Sequence, residues 1–99
     1  MSTKEKTRTL EEILSDAGIS PASDNVHKLI LWNDDVNSFD WVILCLIAIM
    51  NFTPEKADKT AWTVHLEGSC VIKVGSQDDL KPYKVALEER GLTLSIEKD

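Results

Sequence analysis

Three stretches of the chain have the apolar patterns that are typical of strands. HKLILW at 27–32 is rich in apolar and β-branched residues, as is SCVIKV at 69–74. LTLSIE at 92–97 alternates apolar with polar residues, which indicates a strand with one buried face. We therefore predict three strands, separated by segments with a helical pattern.

Two helices are predicted between the first and second strands. The first, over about residues 39–50, can be capped by Asn37 or Ser38. A Thr-Pro pair at 53–54 suits the cap and first position of the second helix, because proline is preorganised for that position. This helix should end before Gly68, which can adopt the left-handed conformation of a helix stop.

A third helix is predicted over about 79–90 and closed by Gly91. Pro82 must then lie in its first turn, because deeper in a helix it would break the hydrogen-bond ladder. The order β-α-α-β-α-β predicts an α+β fold, with a three-stranded, mainly antiparallel sheet and helices packed on one of its faces.

The first 25 residues differ from the rest of the chain. They are polar, contain Pro21, and offer only a short amphipathic patch at 9–17. Segments of this kind bury too little apolar surface to fold alone. We predict a flexible N-terminal extension at 1–25 and one folded domain at 26–99.

The composition argues against several classes of function. Seventeen acidic residues against eleven basic ones give a net charge of −6, which disfavours binding to nucleic acid or anionic membranes. The apolar run VILCLIAIM, at 42–50, is too short to span a membrane. Cys45 and Cys70 do not form a disulfide framework, so we expect a reducing, cytoplasmic location.

Polar side chains that could carry chemistry are few. Asn33, Asp34 and Asp35 follow the first strand, where they can simply form a turn or can present clustered acceptors to a cation. His65 is one histidine near the end of a helix, and it can be a surface residue or an acceptor. The catalytic motifs with recognisable spacing are missing. An acid–base or metal site is therefore weakly supported, and we expect no enzyme, metal or cofactor.

The first helix has apolar residues on almost every side. In one interpretation it is a core helix, with residues 42, 46, 49 and 50 facing the sheet. In the other it exposes a contact surface formed by some of Ile43, Leu44, Ile47 and Ala48. The second interpretation allows weak self-association.

The residues also resemble a known family. HKLILWNDDVNSFDWV, followed by T-P-E-K-A and by V-H-L-E-G, resembles the ClpS adaptor family over about residues 26–97. That family has a fold similar to the C-terminal domain of the ribosomal stalk protein. It recognises N-degrons, which are proteins with a bulky hydrophobic N-terminal residue, and delivers them to a ClpA-type AAA+ unfoldase of the Clp protease.

The resemblance implies a binding site. Asn33, Asp34 and His65 should contact the α-amino group and the first peptide unit. The hydrophobic side chain should enter a pocket formed by the following residues: Asn37, Phe39, Val42, Ala61, Val64 and Leu92.

The sequence departs from the family at several positions. Phe39 and Ala61 stand where many relatives have methionine, Asn37-Ser38 replaces a Thr-Pro pair, and the segment after the second strand is shorter. The sequence therefore does not decide which N-terminal residue is preferred, or whether the partner unfoldase is of the ClpA or the ClpC type. The alternative function is an interaction or assembly module of the same fold that does not bind N-degrons. Such a module could form a dimer through Ile43, Leu44 and Ile47.

Overall fold

A computed structural model describes residues 26–98 of the protein, so the predicted N-terminal extension lies outside the described range. The elements follow the predicted order β-α-α-β-α-β. They are β1 (His27–Trp32), α1 (Phe39–Met50), α2 (Pro54–Glu67), β2 (Ser69–Gly75), α3 (Gln77–Glu88) and β3 (Thr93–Lys98).

The three strands form one antiparallel sheet in the order β2-β1-β3. β1 therefore has a hydrogen-bonded neighbour on both sides. Its register with β2 shifts where Leu29 pairs with Lys73 and Ile30 with Val71, which leaves Ile72 as an extra residue. Such a bulge locally increases the twist of the strand. The predicted α+β fold is confirmed.

The core lies between the sheet and the helices. Leu29 and Leu31, at alternate positions of β1, are fully buried together with Leu46, Leu80 and Leu87 from the helices. α3 contacts all three strands, α2 contacts β2, and α1 packs on α2 and α3. α3 thus packs on the central strand, and a loop of residues 33–38 leads from β1 to α1.

Helix α1 buries only part of its apolar surface. Cys45 and Leu46 are buried, whereas its other core-facing apolar residues are half-buried: Val42, Ile43, Ile47, Ile49 and Met50. Leu44 is 57% exposed, and Trp41 and Ala48 are also exposed. Of the contact surface considered above, Leu44 and Ala48 are thus open to solvent, and self-association stays a prediction.

The caps of α1 and α2 explain where these helices begin and end. The Ser38 hydroxyl accepts a hydrogen bond from the Trp41 N–H, and Thr53 caps α2 in the same way. Asn51 and Gly68 close the two helices with φ of 59° and 94°, the left-handed conformation of a helix stop.

Helix α3 differs from its prediction. Ser76 caps it by accepting from the Asp79 N–H at 3.0 Å, so the helix begins at Gln77, two residues earlier than expected. Pro82 then lies in the second turn, and its predicted place in the first turn is wrong. The hydrogen bond that proline cannot make would go to the Asp78 carbonyl. Both residues are exposed, so water can satisfy that carbonyl.

None of the helices in residues 26–98 combines the length and apolar character needed to cross a bilayer. The thiols of Cys45 and Cys70 are both free, and Cys45 is buried.

Two leucines of α1 test this account of the core. Leu46→Ala should lower the free energy of unfolding by about 2–5 kcal/mol, because it leaves a cavity in a fully buried site. Leu44→Ala is the matched control on the same helix and should change it by less than about 0.5 kcal/mol. Urea unfolding followed by circular dichroism measures both, and equal losses would contradict the packing described.

Candidate functional site

A cavity of about 430 Å³ opens between the end of β1, the start of α1 and the second half of α2. It brings together every residue that the family resemblance predicts for the site, and also four others. The predicted residues are Asn33, Asp34, Asn37, Phe39, Val42, Ala61, Val64, His65 and Leu92. The additional residues are Leu31, Trp32, Asp35 and Trp62.

The carboxylate of Asp34 organises the loop between β1 and α1. Its Oδ1 accepts from the backbone N–H groups of Val36 and Asn37, each at 2.9 Å. The Asn37 side-chain amide donates to both carboxylate oxygens, at 3.1 and 2.9 Å, and the Thr93 hydroxyl donates to Oδ2 at 3.3 Å. A carboxylate has about four acceptor positions, so the loop and β3 occupy those of Asp34.

Asn37 extends this network to the far wall of the cavity. Its Nδ2 also donates to the Gly91 carbonyl at 2.7 Å, in the turn between α3 and β3. Gly91 has φ of +91°, which a residue with a side chain would adopt only with strain. Leu92, the next residue, lines the cavity. Asn37 thus holds the acceptor loop and the apolar wall at a fixed separation.

The hydrogen bonds keep Asp34 ionised. Partial burial acts to raise the pKa of its carboxyl, but the hydrogen bonds from Asn37, Val36 and Thr93 outweigh burial and lower the pKa from its ordinary value of 3.8. A negative charge is therefore fixed at the mouth of the cavity.

Three other polar side chains at the cavity have acceptor atoms without a hydrogen-bond partner in residues 26–98. The backbone N–H of Asn33 donates to the Gly68 carbonyl at 2.9 Å, which ties the end of β1 to the end of α2. Within residues 26–98, no hydrogen bond engages the side chains of Asn33, Asp35 or His65. Asp35 and His65 are exposed. An amide oxygen, a carboxylate and an imidazole therefore remain available to a ligand.

The cavity becomes apolar away from these acceptors. Ala61, Val64 and Leu92 are buried and form its inner wall. Ala61 and His65 are four residues apart on α2, so they lie on one helix face, and Val64 lies beside them. The helix thus joins an acceptor at the mouth to apolar side chains below it.

Trp62 is one of the lining residues that the sequence did not predict. It lies three residues before His65, and its ring centroid is 4.7 Å from that of Phe39. Its spacing of three residues from His65 places both on one face of α2, and this is the only clue that the sequence offers. A single tryptophan on a largely polar helix produces no apolar periodicity that would mark it as a lining residue.

The arrangement has the chemistry of a binding site for an amphipathic ligand. Acceptors at the mouth with apolar walls below suit a ligand that has a cation attached to a hydrophobic group. Residues 26–98 contain no group of three or more histidine, cysteine, aspartate or glutamate side chains that could hold a metal ion.

Comparison with known proteins identifies the family. The family model for the ATP-dependent Clp protease adaptor protein ClpS matches residues 22–95. The chain belongs to the ClpS family.

Two curated ClpS relatives indicate the extent of the similarity. The ClpS adapter of Thermosynechococcus vestitus is 37% identical over 70 residues, which are 70% of this chain and 74% of the relative. The ClpS adapter of Streptomyces coelicolor is 27% identical over 95 residues, covering 96% of this chain and 95% of that protein.

A solved structure shares the ClpS fold of this chain. It is Agrobacterium tumefaciens ClpS2 bound to L-phenylalaninamide, with a TM-score of 0.67 and 24% identity. The match covers 78% of this chain and all of the other. At this identity the similarity concerns the fold.

The two adjacent aspartates should contribute differently to the stability of the fold. Asp34→Ala should lower the free energy of unfolding at neutral pH by about 1.5–3 kcal/mol, because it removes hydrogen bonds to a charged acceptor. Asp35→Ala, the matched control, should change it by less than about 0.5 kcal/mol. Urea unfolding across a pH series measures both variants.

The pH dependence of that difference has a definite sign. The folded-state pKa of Asp34 is lowered, so its stabilisation is fully present above the ordinary value of 3.8 and is lost as the pH falls through the folded value. The Asp34→Ala deficit should therefore shrink in acid. A deficit that is equal for both aspartates, or independent of pH, would contradict the role assigned to Asp34.

Proposed function

We propose that this protein is an N-degron adaptor, which binds proteins through a free, bulky hydrophobic N-terminal residue and delivers them to the Clp protease. The observation that carries the proposal is the cavity, which is lined both by acceptors that no hydrogen bond within residues 26–98 engages and by apolar side chains. The Agrobacterium tumefaciens ClpS2 of the same fold holds L-phenylalaninamide, which combines a free α-amine with a phenyl side chain.

The α-amino group is the first part of the ligand to account for. It has a pKa near ~8 and is mostly protonated at neutral pH, with three N–H donors. The side chains of Asn33, Asp35 and His65 offer three acceptors that no hydrogen bond within residues 26–98 engages. Asp34 belongs to the same amine site because its fixed charge attracts the ammonium while its oxygens hold the loop. Matching donors to acceptors avoids leaving a charge unpaired when water is displaced.

The side chain of the first residue supplies the remaining affinity. It enters the pocket bounded by Phe39, Val42, Ala61, Val64 and Leu92, with Asn37 fixing the separation of its walls. Burying an aromatic side chain contributes a few kcal/mol at ~25 cal/mol per Å². The loss of translational and rotational freedom offsets part of this gain, so we expect a dissociation constant on the order of 1 μM.

The partner is a AAA+ unfoldase of the Clp protease, of the ClpA or ClpC type. This step rests on the family, whose name is that of an ATP-dependent Clp protease adaptor. We place the protein in the cytoplasm, because the free thiols of Cys45 and Cys70 suit a reducing compartment. Its role is to bind and deliver, and it performs no chemical step on the substrate.

A pair of peptides tests the amine site. A Phe-initiated fluorescent peptide should bind, and its N-acetylated form should bind at least tenfold more weakly, because acetylation removes the charge and two of three donors. Fluorescence-anisotropy titration measures both. Asp35→Asn should weaken binding of the free peptide by roughly tenfold to a hundredfold, the cost of one charge-assisted hydrogen bond.

Asp58→Asn is the matched control, because it removes the same charge from α2 at a position outside the cavity. Equal binding of the acetylated peptide would refute amine recognition. The assembly module would gain support if no peptide bound and sedimentation showed a dimer that Leu44→Lys dissociates.

A further inference from the structure

Three aromatic rings form one side of the cavity mouth. Phe39 begins α1, whereas Trp62 and His65 lie on one face of α2. The Phe39 and Trp62 rings are tilted by 59° at 4.7 Å. His65 stands nearly perpendicular to both, with its centroid 6.0 Å from that of Trp62 and 6.4 Å from that of Phe39. These separations are those of interacting aromatic pairs.

Trp62 presents part of its ring surface to the cavity. It is 49% exposed although it packs against Phe39, and it lines the cavity. The neighbouring Ala61 has the smallest side chain on the inner wall. A ring that enters the pocket can therefore meet Trp62 by edge or by face, whereas an aliphatic side chain of the same size can use only its apolar area.

We propose that Trp62 is a specificity-determining residue, which makes the pocket prefer an aromatic first residue to an aliphatic one of equal size. The inference rests on the proposed binding of free N-termini and concerns the side chain that follows the amine. Area alone cannot produce such a preference. Offset or edge-to-face contact between rings adds to burial, and one pair of this kind corresponds to roughly a two- to tenfold gain in affinity.

A matched pair of ligands separates ring contact from burial. Two peptides should be compared that differ only in their first residue, phenylalanine or cyclohexylalanine. Cyclohexylalanine carries a six-membered carbon ring on the same methylene group, has no π-system, and is the more hydrophobic of the two. Burial alone would make it bind at least as tightly as phenylalanine. We expect the phenylalanine peptide to bind the wild-type protein roughly two- to tenfold more tightly.

Variants of Trp62 test whether this residue causes the preference for phenylalanine over cyclohexylalanine. Trp62→Leu keeps an apolar side chain and should bring the ratio of the two affinities to one or below. Trp62→Phe restores a ring and should restore the preference. Trp41→Leu is the control, because Trp41 is similarly exposed, at 41%, and lies outside the cavity. It should leave the ratio unchanged.

The outcomes distinguish this inference from the function on which it rests. Equal binding of both peptides to the wild-type protein, or a preference that survives Trp62→Leu, would overturn the role of Trp62 and leave amine recognition standing. Failure of both peptides to bind the wild-type protein would overturn both. Loss of the preference in Trp62→Leu, with its return in Trp62→Phe, would establish the inference.

Discussion

The hydrogen bonds to the Asp34 carboxylate hold the binding end of the molecule together. Two backbone N–H groups, the Asn37 amide and the Thr93 hydroxyl all donate to it. They join the loop after the central strand to β3, and the Asn37 amide also reaches the Gly91 carbonyl. Within residues 26–98, no hydrogen bond engages the side chains of the neighbouring Asn33 and Asp35. The hydrogen-bonded carboxylate of Asp34 thus holds in place the loop that carries Asn33 and Asp35.

The fold supplies the other half of the site. α2 carries Ala61, Val64 and His65 on adjacent positions of one face, so the same helix provides apolar wall and acceptor. The Asn33 N–H binds the Gly68 carbonyl and fixes that helix end against β1. A ligand with a cation beside a hydrophobic group therefore meets elements whose positions are set before it binds. Such preorganisation reduces the ordering cost of association.

Much of the fold could be predicted, because caps and strand patterns are local signals. Ser38 and Gly68 mark helix ends that the structure confirms. Pro82 misled the prediction of α3, because a proline in the second turn is tolerated where the freed carbonyl faces water.

The different roles of Asp34 and Asp35 could not be predicted, since adjacent aspartates have the same propensities. Only the path of the loop decides which carboxylate turns inward.

A crystal structure of the protein with a Phe-initiated peptide tests the central claim most directly. We predict that the α-ammonium lies within hydrogen-bond distance of Asp35, Asn33 and His65, about 2.7–3.2 Å. Asp34 should keep its bonds to the Val36 and Asn37 N–H groups. An ammonium bound directly to Asp34 with Asn37 displaced, or a peptide seated outside the cavity, would contradict the account.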